Sequence, residues 1–213
     1  AVNPEIKKKC LLLVRGMVEL SVSFADITLS KDDMVEIDEQ VVNVCKEYLP
    51  QTACAFDDPR LTLYIEDGLK IRSPQENEYD LIIVDSTDVW TGRRTFFYKR
   101  ILRQLLKRRS QIRGILINQH ESTYYDSYVD MVKRTHRRIG SAFPVSMVYQ
   151  THIPTIRLVI GFSALLRKIF TLYMILRLMS GKIRHKDKNY NTELHKGCFA
   201  LPNYVLDVLE DCD

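Results

Sequence analysis

Asp85 and Asp88 close an aliphatic run, YDLIIVDSTD (79–88). Charged side chains are rarely buried unless they are paired, so a strand that looks buried and ends on two carboxylates calls for a chemical reason. Two other segments end the same way: DMVEID on Glu36 and Asp38, and LTLYIED on Asp67 just before Gly68. A carboxylate can accept two hydrogen bonds from a vicinal diol, and an acid after the second strand of a nucleotide-binding sheet commonly receives ribose hydroxyls. The plainer reading makes each acid a helix N-cap or a turn residue. Three such strand ends in one sheet favour the ligand.

These acids need a sheet to carry them. The pattern predicts a short apolar strand in KKKCLLLV, then strands over 33–38, 61–67, 78–85, 114–120 and 143–154. Between them, EQVVNVCKEYLP spaces Val41, Val42, Cys45, Tyr48 and Leu49 as a helix would and stops at Pro50, and 127–143 reads as an amphipathic helix. Strands alternating with helices imply an α/β fold with a mostly parallel sheet covered by helices on both faces, whose ligands sit outside the carboxyl ends of the strands.

The 213 residues suit a single domain, and 46% hydrophobic with 27% charged residues is ordinary for a soluble protein. The five cysteines form no Cys-x-x-Cys pair, which points to reduced thiols in a cytoplasm and away from a zinc ribbon or disulfide scaffold. No secretory leader is expected from the opening residues. The net charge of +4 hides an asymmetry. Residues 91–113 carry nine basic residues and 153–186 carry seven, neither with an acid; the remainder has 15 basic against 27 acidic residues, a balance of −12.

Taken in order, MVEIDEQVVNVCKEYLP, FDDPRLTLYIEDG, YDLIIVDSTD, GILINQHES (114–122) and NYNTELHKGCFALPNYV (189–205) resemble the spermidine synthase (polyamine aminopropyltransferase) family. The resemblance implies a Rossmann-like, class I methyltransferase-type fold. It implies transfer of the aminopropyl group of decarboxylated S-adenosylmethionine to putrescine, giving spermidine and methylthioadenosine. It assigns Glu36 to the ribose hydroxyls, Asp67 and Gly68 to the adenine, Asp85 to the general base, and Asp88 and Gln119 to the amine substrate. It implies decarboxylated S-adenosylmethionine as co-substrate with no metal or other cofactor, and a cytoplasmic homodimer or tetramer.

The chain also departs from the family. In place of the glycine-rich loop after the first strand stands LLLVRGMVELSV, with Gly16 alone, and VWTGRR follows Asp88. Pro154 and Thr155 lead into Ile156-Arg157-Leu158 where the family has Pro-Thr-Tyr-Pro-Ser-Gly. The expected organisation is one catalytic domain over 1–213, without the family's small N-terminal β domain and divergent over 91–113 and 156–187. Displaced reading frames account for several departures together: with suitable third bases, codons for residues 16–23 regroup to Asp-Gly-Gly-Thr-Val-Arg-Glu, and those for 156–162 to Pro-Ser-Gly-His-Trp-Leu. The encoding DNA tests this directly. Two alternatives share the ancestry: a methyltransferase using intact S-adenosylmethionine, and an inactive remnant or binding protein.

Other chemistries are disfavoured. The 91–113 run carries Phe96, Phe97 and Tyr98 but no nucleic-acid-binding module, so no nucleic-acid partner is expected. IFTLYMIL (169–176) falls well short of the roughly 20 apolar residues of a membrane span. His120-Glu121 has Tyr124 where a zinc protease needs its second histidine, and no Gly-x-Ser-x-Gly elbow occurs.

Overall fold

The computed structural model describes residues 9–14, 31–68, 79, 81–85, 115–120, 123–140, 146–153, 158–165 and 191–210. The chain forms two compact units, Ala1–Gly114 and Ile115–Asp213.

In the first unit, β1 (Lys9–Val14), β2 (Lys31–Glu36), β3 (Leu61–Ile65) and β4 (Leu81–Asp85) are all parallel, in the order β3-β2-β1-β4. Cys10, Leu11, Leu12 and Leu13 of β1 are all buried, as are Ile82, Ile83 and Val84 of β4. Consecutive buried residues on a strand mean that both faces are covered, the mark of a parallel sheet interior. Each fully buried leucine contributes about 1.5–3 kcal/mol. β3 closes one side of this order, and Tyr64 and Ile65 near its end are exposed.

Helix α1 (Glu39–Tyr48) follows β2 after two residues. Asp38 has an extended backbone and its side chain accepts from the Gln40 N–H at 2.9 Å, an N-cap. Glu39 in the first turn and Lys46 in the last suit the helix dipole. Val42 and Cys45 face inward, and Cys45 packs with Ala53, Val41 and Phe56. A short helix, α2 (Pro50–Ala53), and a 3₁₀ turn (Cys54–Asp57) lead to Asp58. Asp58 accepts from the Arg60 backbone N–H at 2.8 Å and pairs with its guanidinium at 2.6 Å, which lowers the Asp58 pKa to about 2. The Arg60 carbonyl accepts from the Asp32 N–H, so this turn delivers β3 alongside β2.

In the second unit, β5 (Ile115–His120), β7 (Leu158–Leu165) and β6 (Ser146–Ile153) lie in the order β5-β7-β6, with both pairings antiparallel. Helix α3 (Asp126–Gly140) buries Val132, Thr135 and Ile139 and packs against the last helix. Two short helices end the chain: α4 (Thr192–Gly197), capped by Asn191, and α5 (Asn203–Glu210), which buries Val205. The Gln150 N–H donates to the Cys198 carbonyl, and the Tyr149 and Phe199 rings lie 5.6 Å apart.

The expected elements are present with shifted ends. The strand expected over 33–38 runs Lys31–Glu36, because Asp38 is committed to capping α1. The strand expected to reach Asp67 stops at Ile65, and the helix expected over 127–143 runs Asp126–Gly140. β7 was not expected: it lies inside the stretch set apart for its basic charge, yet LVIGFSAL itself carries no charge. The helices α4 and α5 were not assigned from the sequence either. Among the described residues no helix is long and apolar enough to cross a membrane.

Candidate active site

Parallel strands bring their carboxyl ends to one edge, and in the first unit that edge is acidic. The pairing sets Glu36 opposite Ile65, Leu13 opposite Val35, and Val14 opposite Asp85. Glu36 and Asp85 therefore stand at one level on either side of β1. Residues in register on neighbouring parallel strands share a face, and two strand spacings separate them by about 10 Å.

Glu36 is 1% exposed. Its Oε1 accepts from the Asp38 N–H at 3.0 Å, and its carbonyl accepts from the Glu66 N–H. The carboxylate is thus anchored beside the N-terminus of α1, where exposed amides and the helix dipole favour negative charge. A carboxylate offers about four acceptor positions, so one backbone bond fixes its orientation without exhausting it. Asp67 and Gly68 follow β3 on the same edge, half-buried, one strand beyond Glu36. Ile37 and Ile65 beside Glu36 are 56% and 42% exposed, an apolar surface that the sequence reading did not pick out. Its signal lay in DMVEID and LTLYIED, where an isoleucine touches an acid in each.

Asp85 ends β4 half-buried, and burial pushes its carboxyl above the usual carboxylate range. A stronger base results, poised at the mouth of a buried strand. Of the other residues assigned from the sequence, Gln119 lies on β5 in the second unit, half-buried and opposite Phe162 of β7. Asp88 lies outside the described residues, as do Gly16, 91–113 and most of 156–187. For Asp38 the plainer reading holds: it is the N-cap of α1. Among the described residues no three His, Cys, Asp or Glu side chains gather as a metal site would require.

The spermine/spermidine synthase domain matches residues 14–172. The chain belongs to this family. It is 50% identical over 189 residues to the polyamine aminopropyltransferase of Clostridium perfringens (strain ATCC 13124), covering 87% of this chain and 65% of that protein. It is 48% identical over 219 residues to the polyamine aminopropyltransferase of Alkaliphilus oremlandii, covering 99% of this chain and 74% of that one. The chain thus spans about two thirds of the length of these family members. Among solved structures it resembles spermidine synthase from Thermotoga maritima, with a TM-score of 0.81 and 28% identity over 97% of this chain and 69% of that one. A spermidine synthase in complex with the transition state analogue AdoDATO matches with a TM-score of 0.79 and 26% identity, covering 97% and 69%. These likenesses make the Rossmann-like, mostly parallel fold of the family the fold of this chain.

Proposed function

We propose that the chain is a spermidine synthase, moving the aminopropyl group of decarboxylated S-adenosylmethionine onto putrescine. One observation carries the reading: the register sets Glu36 and Asp85 level on one face of the carboxyl edge, with β1 between them. Family relatives named polyamine aminopropyltransferase, and a similar structure that holds a transition state analogue, support it. In this reading Glu36 takes the ribose hydroxyls, Ile37 and Ile65 offer the adenine an apolar surface, and Asp67 and Gly68 contact its edge. A span of about 10 Å suits a nucleoside reaching from its ribose to the carbon under attack.

Asp85 is the base. An alkyl ammonium holds its proton to about pH 10 and has no lone pair while it does. Asp85 takes that proton, and the freed nitrogen pair forms a bond to the methylene carbon beside the sulfonium. The carbon–sulfur pair goes to sulfur, which becomes the neutral thioether of methylthioadenosine. Atoms and charge balance with one proton released. General-base help of this kind contributes on the order of 10²–10⁴-fold, and holding both substrates in line supplies much of the rest. In this reading Asp88 anchors the diamine by charge-assisted hydrogen bonds, and Gln119 is assigned to the same substrate. The reading includes a homo-oligomer in the cytoplasm, with no nucleic-acid or membrane partner and no metal or further cofactor.

The test is methylthioadenosine release from decarboxylated S-adenosylmethionine, with and without putrescine. Putrescine-dependent release is expected. Asp85→Asn should lower kcat by about 10²-fold or more, and Glu36→Gln should raise KM for the nucleoside. Methyl transfer from intact S-adenosylmethionine, with no methylthioadenosine formed, would overturn the reading in favour of a methyltransferase. Nucleoside binding without turnover would leave a binding protein of the family.

A further inference from the structure

The carboxyl edge is useful only while β4 keeps its register, and the apolar residues of β4 specify that register poorly. Ile82, Ile83 and Val84 are all buried, and they face Leu11, Leu12 and Leu13 of β1. With both faces apolar, a slip by one residue exchanges one aliphatic side chain for another at little cost in burial. The same slip turns every side chain of the strand to the opposite face. Asp85 would then point away from the face that carries Glu36.

At the other end of these strands three elements meet on one oxygen atom. Lys9, the first residue of β1, places its Nζ 3.0 Å from Asp33 Oδ2 of β2. Tyr79, two residues before β4, donates its hydroxyl to the same Asp33 Oδ2 at 2.8 Å. The Lys9 ammonium also stands 4.8 Å from the centre of the Tyr79 ring. The Asp33 and Lys9 side chains are 3% and 14% exposed. The hydroxyl hydrogen bond is directional, unlike the aliphatic packing, and a one-residue slip of β4 by about 3.3 Å would pull Tyr79 away from Asp33 Oδ2.

We propose that Lys9, Asp33 and Tyr79 are a positioning clamp that fixes the register of β4 and so holds Asp85 level with Glu36; the link to catalysis rests on the function proposed above. A buried ion pair is a weak source of stability, since the cost of removing both charges from water offsets most of their attraction, and an apolar replacement is often neutral or stabilising. Setting a register is the best-attested use of such a pair. Glu36 is anchored separately, through the Asp38 N–H and the Glu66 N–H, so losing the clamp acts on the base and spares the nucleoside site.

The experiment compares the wild-type chain with the double variant Lys9→Met/Asp33→Leu and with Tyr79→Phe, which removes a single hydroxyl and serves should the double variant not fold. Hydrogen exchange at the Ile82–Val84 amides is followed alongside steady-state kinetics. The double variant should melt at or above the wild-type temperature, yet exchange these amides faster. It should lose on the order of 10-fold or more in kcat, since misplacement by about an ångström costs up to 10²-fold, while KM for the nucleoside holds. Tyr79→Phe should move exchange and kcat the same way by less. Wild-type exchange and wild-type kcat in either folded variant would overturn the clamp. A wild-type chain without turnover would sink the proposed function instead, and the exchange comparison would still decide the register.

Discussion

At the level of single residues, the end of β4 removes the Asp85 carboxyl from water, so the folded chain holds its proton to a higher pH than the unfolded chain does. Below the ordinary carboxylate value of 3.8 both states are protonated and Asp85 costs nothing. As pH rises through its raised value, the folded state must carry a poorly solvated charge, and stability is lost over that window. Asp85→Asn removes this penalty. The variant should melt above the wild type at pH 7, with the difference closing as pH falls toward 4, in thermal melts across that range. The same substitution should lower kcat by about 10²-fold or more, so activity and stability pull in opposite directions here. Glu36 and Asp85 were legible in the sequence because an acid after aliphatic residues is conspicuous. The division of labour between Glu36 and Asp38 was not, since it depends on which residue leaves the strand conformation. Asp33 was also illegible: its partner Tyr79 is 46 residues away, and no local pattern pairs them.

At the level of elements, α1 supports the carboxyl edge through its first turn. The Asp38 side chain caps the helix while its N–H holds Glu36. Asp38→Ala should cost about 1 kcal/mol of stability through the lost cap. It should also weaken nucleoside binding, because the residue that orients Glu36 loses its fixed conformation. Asp38→Asn, which keeps an acceptor at the cap, should retain both properties in the same melts and titrations. The strands β1 and β4 were readable because consecutive aliphatic residues bounded by charge leave few other structures. β7 escaped for a reason of scale: a charge imbalance counted over 34 residues, 153–186, concealed an uncharged run of eight. The short helices α4 and α5 escaped because a single turn or two gives too little periodicity to read.

At the level of the whole molecule, two units divide the described structure, and the first holds Glu36, Asp67, Gly68 and Asp85. The parallel architecture of that unit followed from the order of its segments, whereas the antiparallel β5-β7-β6 arrangement depends on pairings that no motif announces. The central strand has one more consequence. Cys10 lies on β1 between Asp32 and Leu81, fully buried, and its thiol is held protonated by burial and by the charges of Asp32 and Asp33. Cys54 is exposed. A thiol reagent should therefore modify Cys54 at once and reach Cys10 only when β1 parts from its neighbours, as peptide mapping of timed samples would show. Methylthioadenosine bound at the carboxyl edge should slow the labelling of Cys10 and leave that of Cys54 unchanged. The sheet thus carries its own stopwatch, which times its opening whether or not the reaction proceeds.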